Sequence, residues 1–237
     1  MKIAIMQPYF FPYIGYFQLI KSVDKFIVYD DVNFIKKGWI NRNKILNNNS
    51  ELLFTVPLRS ISQNSLISEI LLGENFKFWK KKFLATIFHS YKNSSNFKIS
   101  FDLIEKILNH KVDSISELLT FSLIELCKFL DIKTLITLSS ETYKSNRHLK
   151  KSTRILDICE KENAVKYINL SGGTELYNSN EFISKGLELI FINTLSEEIF
   201  YNQKSKTFIN NLSIIDVIMN NNKKEIQSLL NKFSLSS

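Results

Sequence analysis

The segment YDDVNFIKKGWINRN, residues 29–43, brings together the side chains best suited to chemistry. Asp30 and Asp31 are adjacent carboxylates behind an apolar run, so either is a candidate general base, metal ligand or acceptor for a ribose hydroxyl. The cationic, amide and indole groups that follow are Lys37, Trp39, Asn41, Arg42 and Asn43. Amides pair with hydroxyls, indole stacks on a sugar face and cations contact phosphate, so the segment predicts recognition of a sugar or a phosphate. A hairpin turn with solvated charges is the alternative.

A second candidate is MQPYFFPYIGYFQLI, residues 6–20, which follows a strand-like run and leads into a helical pattern. Gln7 offers amide donors and an acceptor, and Tyr9 and Tyr13 offer stacking faces with hydroxyl groups. Two prolines stiffen the segment, and Gly15 permits close approach of backbone or ligand. The sequence predicts a binding loop here; a hydrophobic lid over one end of a sheet is the alternative.

A third candidate is LSGGTELY, residues 170–177. Gly172 and Gly173 expose backbone N–H groups after a predicted strand, which suits an anion, and Ser171 adds a hydroxyl. Tyr177 closes the motif. Glycine pairs are also common in plain turns, so this signal is weak.

Histidine is scarce, and His89 is the one placed on a helical pattern rich in aromatic residues. It lies one residue off the predicted buried stripe, so it is a candidate acid–base group, with a packed or surface histidine as the alternative. The sequence has no G-x-S-x-G, Walker or H-E-x-x-H motif, which argues against hydrolases, P-loop proteins and zincins. No resident metal or cofactor is expected.

Composition excludes several further classes. The net charge of +8 comes mostly from lysine spread along the chain, so we expect no nucleic-acid interface. No apolar run is long enough for a membrane span, and the N-terminus lacks the features of a signal peptide, which together predict a cytoplasmic protein. Cys127 and Cys159 sit in apolar helical patterns and are expected to be buried thiols.

Strand-like and helix-like patterns alternate along the chain. Two strand-like runs separated by one helical pattern near the N-terminus favour a parallel βαβ unit. We therefore predict one α/β domain over residues 1–237, with a Rossmann-like, mostly parallel sheet and a helical segment at about residues 76–132. The predicted strands cover residues 2–7, 24–32, 51–58, 134–140, 165–170 and 187–193. All three candidate segments follow strands, where α/β sheets bind ligands.

The loop after the first strand also invites comparison with nucleotidylyltransferases, which carry an H-x-G-H-type motif there. The corresponding residues here are YIGY, Tyr13 to Tyr16, without either histidine. The layout supports a Rossmann-like start, and the missing histidines argue against adenylyl transfer.

Several long and unusual motifs resemble the WbqC-like protein family. They are residues 6–20, DKFIVYDDVNFIKKGWINRNKI (24–45), TVPL (55–58), ILDICEKENAVKYINLSGGTELY (155–177) and LSIIDVIM (212–219), which together span most of the chain. The family is associated with gene clusters for bacterial O-antigen and other surface polysaccharides, including lipopolysaccharide biosynthesis. The resemblance implies a cytoplasmic transferase that places an acyl or aminoacyl group on the amine of a nucleotide-linked amino sugar.

That reaction implies a nucleotide-linked sugar as substrate and a thioester donor, which a carrier protein could present. Two alternatives remain open at this point. One is nucleotidyl transfer to a sugar phosphate, with Mg²⁺ held by Asp30 or Asp31. The other is a non-catalytic partner of a glycosyltransferase or carrier protein, in which clustered lysines would meet an acidic surface.

Overall fold

The computed structural model describes residues 1–62 and 64–236. Its main sheet has six strands in the order β5-β2-β1-β6-β7-β8. The first five are parallel and β8 pairs antiparallel with β7. The strands are β1 (Lys2–Met6), β2 (Lys25–Val28), β5 (Leu135–Leu138), β6 (Lys166–Leu170), β7 (Glu188–Thr194) and β8 (Phe233–Ser236). The Rossmann-like, mostly parallel sheet is confirmed.

The strand order reverses direction at β1. From β1 the chain adds β2 and β5 on one side, then returns to place β6, β7 and β8 on the other. The gap between the carboxyl ends of β1 and β6 is therefore a topological switch point, where open α/β sheets leave a crevice for ligands.

The inner parallel strands β1, β2, β6 and β7 are largely buried on both faces, which explains their nearly continuous apolar sequences. Successive residues of β1 alternate between two hydrophobic clusters: Ala4 packs on one face of the sheet, and Ile3 and Ile5 pack on the other. The first cluster includes residues of α1 (Ile14–Lys21), α4 (Ile115–Phe129) and α8 (Ile214–Asn220). The second includes residues of α6 (Lys151–Lys161) and α7 (Ser179–Ile183).

A separate antiparallel hairpin, which the sequence patterns did not predict as a pair, is formed by β3 (Arg42–Asn47) and β4 (Ser50–Thr55). The two-residue turn between them is Asn48–Asn49, with φ of 48° and 61°. Positive φ at both positions matches the turn that best suits the twist of a hairpin, and asparagine tolerates it better than most residues. Residues 29–43 therefore enter a strand, and the predicted strand at 51–58 ends at Thr55.

The helical segment predicted for residues 76–132 is confirmed as three helices. They are α2 (Phe76–Tyr91), α3 (Phe97–Asn109) and α4. A capping box opens α4: the Ser114 hydroxyl accepts from the Glu117 amide at 3.2 Å, and the Glu117 carboxylate accepts from the Ser114 amide at 3.1 Å. This reciprocal pair satisfies two amide groups that the helix leaves free at its start.

The remaining elements are α5 (Ser139–Thr142), α9 (Lys223–Leu229) and short 3₁₀ turns at Ile67–Glu69, Lys144–Asn146 and Ser171–Leu176. Most of the third candidate segment, SGGTELY, thus lies in a 3₁₀ turn. Ser213 caps α8: its hydroxyl accepts from the Ile215 amide, while the Asp216 side chain turns into the core. No helix in the described part of the chain is long and apolar enough to cross a membrane.

Candidate functional site

Two clefts open at the carboxyl ends of the parallel strands, and Tyr9 lies between them. The cleft at the switch point, of about 410 Å³, is here called the switch-point cleft. It is lined by Ile5, Met6, Gln7, Tyr9, Tyr29, Ile35, Ile155, Asn169, Leu170, Gly172, Gly173, Leu176 and Tyr177. The second, of about 360 Å³, is called the β7 cleft. It is lined by Tyr9, Pro12, Tyr13, Trp39, Asn43, Ser171, Ile192, Thr194, Ser196 and Asn211.

The walls of both clefts are uncharged: the described residues that line them include no Asp, Glu, Lys, Arg or His. They supply aromatic rings, amides and hydroxyls. Such walls suit a ligand that stacks and exchanges neutral hydrogen bonds, such as a sugar ring or a nucleobase.

The aromatic loop after β1 divides its rings between core and clefts. Phe10 and Phe11 are fully buried, whereas Tyr9 and Tyr13 are partly exposed and line the clefts. Phe11 has φ of 43°, an unusual conformation for a bulky residue, and its carbonyl accepts from Asn43 Nδ2 at 2.8 Å and Ser213 Oγ at 2.8 Å. The segment therefore contributes rings both to the core and to the clefts.

Gly15 is required at the start of α1. A Cβ there would lie 2.4 Å from Tyr13 Cε2 and 2.5 Å from Thr194 Oγ1, far inside normal contact distances. The glycine lets the Tyr13 ring lie against the helix, beside the end of β7, and so shapes the β7 cleft.

The end of β6 forms a polar wall of the switch-point cleft. Asn169 Nδ2 donates to the hydroxyls of Tyr177 at 3.0 Å and Tyr167 at 3.2 Å, and the two hydroxyls lie 3.0 Å apart. Gly173 packs on this amide, since a Cβ there would lie 3.2 Å from Asn169 Nδ2. Burial raises the pKa of the Tyr177 hydroxyl, so it stays protonated and remains a donor.

Asp30 follows β2 and is buried. Its carboxylate accepts from Ser116 Oγ at 2.8 Å and from the amide and hydroxyl of Ser140 at 3.0 and 2.8 Å, and Ser139 Oγ, whose single proton is shared with Asp31, lies 3.2 Å away. These bonds tie the end of β2 to the starts of α4 and α5. Donors occupy both oxygens, which favours an anchoring role for Asp30 and leaves little room for a cation.

Asp31 forms a buried ion pair. Its Oδ2 accepts from Arg154 Nη2 at 2.6 Å, with Arg147 Nε at 3.4 Å, and its Oδ1 accepts from Ser139 Oγ at 2.5 Å. Burial alone would raise the pKa of Asp31, but the arginines and the hydroxyl hold that pKa below its usual 3.8. Arg154 lies under the Tyr29 ring, 4.9 Å from its centroid, and so connects Asp31 to the switch-point cleft.

The structure places some of the residues singled out in the sequence at the clefts and the others away from them. Nine of them line a cleft: Gln7, Tyr9, Tyr13, Trp39, Asn43, Ser171, Gly172, Gly173 and Tyr177. Six do not: Asp30, Asp31, Lys37, Asn41, Arg42 and His89.

Several of these six have local structural contacts. Asn41 Nδ2 donates to the Val56 carbonyl at 2.9 Å, and Arg42 Nε donates to the Gly38 carbonyl at 3.0 Å. Arg42 also lies 5.8 Å from the centre of the Trp39 ring, which supports that ring at the cleft. Lys37 is exposed in the same turn, and His89 is exposed on α2.

Other cleft residues were missed. Tyr29, Asn169 and Thr194 lie at or just beyond the ends of β2, β6 and β7, and Ser196 and Asn211 are in later loops. The position of the first three after apolar strands was a usable signal, because ligands collect at the carboxyl ends of parallel strands.

Fold and site together define a Rossmann-like α/β protein with two uncharged clefts at the carboxyl ends of its parallel strands, one of them at the switch point. The chain belongs to the WbqC-like protein family, whose model matches residues 7–228. It is also 28% identical over 170 residues, 71% of each chain, to a Mycobacterium tuberculosis protein (strain ATCC 25618 / H37Rv) named "Uncharacterized protein Rv1507c". No solved structure matches the chain significantly.

Proposed function

We propose that this protein transfers an acyl or aminoacyl group from a thioester to the amine of a nucleotide-linked amino sugar in bacterial surface-polysaccharide biosynthesis. The observation that carries the proposal is the pair of uncharged clefts that meet at Tyr9. A two-substrate reaction needs two adjoining sites with a shared wall, because the reacting atoms must approach within about 3–3.5 Å.

The walls fit the two substrates. Tyr29, Asn169 and Tyr177 in the switch-point cleft provide stacking faces, a hydroxyl and an amide for a base or sugar. Trp39 and Tyr13 in the β7 cleft provide a second aromatic surface. Membership of the family supports a role in polysaccharide biosynthesis, and the cytoplasm is where nucleotide-linked sugars and thioester donors would both be available.

The reaction joins the two substrates without an enzyme-bound intermediate. The sugar amine attacks the thioester carbonyl carbon, a C–N bond forms, the C–S bond breaks, and the departing thiolate takes up the proton that the amine loses. Negative charge develops on the carbonyl oxygen. The proposed donors to that oxygen are the Tyr9 hydroxyl and the side-chain amide of Gln7. Neither group has a hydrogen-bond partner within residues 1–62 and 64–236.

The three candidate bases contribute unequally to this proposal. The low pKa of Asp31 makes it a weak base, and donors already occupy both oxygens of Asp30. His89 is exposed on α2 and lies outside both clefts. We therefore propose that the two carboxylates stabilise the structure of the site, and that the protein accelerates the reaction mainly by positioning the substrates.

The uncharged walls also favour a second candidate, a non-catalytic partner that binds a nucleotide-linked sugar for a glycosyltransferase or a carrier protein. Nucleotidyl transfer is less well supported, because Asp30 and Asp31 are surrounded by donors and guanidinium groups that repel a metal ion.

The test is to incubate the purified protein with a panel of nucleotide-linked amino sugars and acyl or aminoacyl thioesters, and to follow product mass. We expect one sugar to gain the acyl mass, and Tyr9→Ala to lower kcat/KM about 10²-fold. The control is Phe78→Ala, which removes an exposed ring on α2. Binding of a sugar without product would support the non-catalytic candidate, and neither binding nor product would refute both.

A further inference from the structure

Two of the four arginines of the chain converge on one carboxylate. Arg154 and Arg147 both contact Oδ2 of Asp31, at 2.6 and 3.4 Å. Arg154 is buried, whereas the Arg147 side chain is 42% exposed. Arg154 therefore forms the main ion pair with Asp31, and Arg147 makes only the longer contact and keeps an exposed side.

A buried residue holds the segment that carries Arg147 in place. Asn146, one residue before Arg147, is buried, and its side chain accepts from Arg154 Nε at 3.0 Å and donates to Asp157 Oδ2 at 2.7 Å. Asp157 is itself paired with Lys161 at 2.8 Å. Within the described part of the chain, Asp31 is the only carboxylate in ion-pair contact with Arg147.

This centre borders the switch-point cleft. Tyr29 lines the cleft on one side and lies over the Arg154 guanidinium on the other, and Ile155, next to Arg154 in α6, also lines the cleft. The cleft walls themselves are uncharged. A cationic group for an anionic part of a ligand in this cleft is therefore available beyond Tyr29, at the Asp31 centre.

We infer that Arg147 binds a phosphate group of the ligand that occupies the switch-point cleft. The inference deepens the proposed function and rests on it, because a nucleotide-linked sugar carries its diphosphate between base and sugar. The Nη groups of Arg147 have no partner among residues 1–62 and 64–236, so they are free to donate two parallel hydrogen bonds to phosphate oxygens.

The inference is tested with inorganic pyrophosphate, measured by isothermal titration calorimetry in metal-free buffer with the full chain. Arg147→Ala is expected to weaken binding about tenfold, and Arg147→Lys to weaken it less, because lysine keeps the charge but loses the planar fork. The matched control is Arg59→Ala, which removes another exposed arginine that lines neither cleft and should leave binding unchanged.

Equal affinity in the wild type and Arg147→Ala would overturn the inference, as would no binding to the wild type or an equal loss in Arg59→Ala. Pyrophosphate binding that depends on Arg147, in a protein that modifies no sugar, would uphold this inference and overturn the proposed reaction. Sugar modification together with pyrophosphate binding that does not depend on Arg147 would uphold the proposed reaction and overturn this inference.

Discussion

Two buried aspartates, Asp31 and Asp216, show how the same side chain takes opposite roles in two regions. Arginines and a serine hydroxyl surround Asp31, and they keep its pKa below the usual value despite burial. Asp216 accepts from neutral groups only, at Tyr91, Tyr201 and Gln203, at distances of 2.8, 2.7 and 3.0 Å. Burial raises the pKa of Asp216, and these bonds offset only part of that rise.

The difference separates a carboxylate paired with arginines beside a cleft from one held by uncharged donors within the helical layers. Asp31 stays ionised and pairs with two arginines, one of which, Arg154, lies under the cleft residue Tyr29. Asp216 joins α8 to α2 through Tyr91 and to the chain after β7 through Tyr201. We expect substitutions at the first centre to change both stability and ligand binding, and substitutions at the second to change stability alone.

The largest expected effect is that of Arg154→Ala. It leaves the buried Asp31 carboxylate without its main counter-charge, and breaking a buried pair in this way costs about 3–5 kcal/mol. Urea denaturation measures the loss in the free energy of unfolding. Arg59→Ala, at an exposed site, serves as the control and should change it by about 0.5 kcal/mol or less. A loss no larger than that of the control would show that Asp31 does not need its arginine.

A smaller loss is expected from Tyr91→Phe, beside Asp216. The substitution removes the donor to Asp216 and the hydroxyl that accepts from the Leu46 amide at 2.9 Å, which leaves a buried amide unpaired. The cost is about 1–3 kcal/mol in unfolding free energy. Affinity for a nucleotide-linked sugar should stay unchanged, and a change in that affinity would break the separation between the two regions.

The smallest effects are expected in the pH dependence of stability, where the two aspartates act with opposite sign. The folded pKa of Asp31 is lowered, so its stabilisation is present above the unfolded pKa of 3.8 and is lost as pH falls through the folded pKa. The deficit of Asp31→Asn relative to the wild type should therefore be largest near neutral pH and shrink in acid.

For Asp216 the folded pKa is raised, so its contribution to stability is greatest below pH 3.8 and declines as pH rises through the folded pKa. The deficit of Asp216→Asn should therefore shrink as pH rises. Chemical denaturation of both variants between about pH 3 and 7 measures the two slopes. Slopes of the same sign would contradict the contrast between the regions.

The sequence could predict elements whose own residues carry the signal. The runs that became β1, β6 and β7 are apolar because both faces of the sheet are covered, so they were recognised. β3 was not, because Arg42, Asn43 and Lys44 hide its apolar positions. The turn at Asn48–Asn49 was a signal for the hairpin, but the asparagine-rich composition of this segment obscured that signal. β8 is four residues long and is set by its pairing with β7.

The site was predictable to a similar extent. The rule that ligands meet strand ends located Gln7, Ser171 and Gly172 in the clefts. The contacts of Asp31 could not be predicted from its neighbours in the sequence, because its partner Arg154 is 123 residues away in the chain. His89 shows the limit of helical periodicity: one step off the buried stripe of α2 places the side chain in solvent.

The most direct test of the central claim is the affinity of the wild type, Tyr9→Ala and Tyr91→Phe for the amino sugar nucleotide that binds best in the panel. If the substrate occupies the crevice at the switch point, Tyr9→Ala binds at least about tenfold more weakly, because it removes the ring shared by both clefts, and Tyr91→Phe binds like the wild type. Equal affinity in Tyr9→Ala and the wild type would contradict the account.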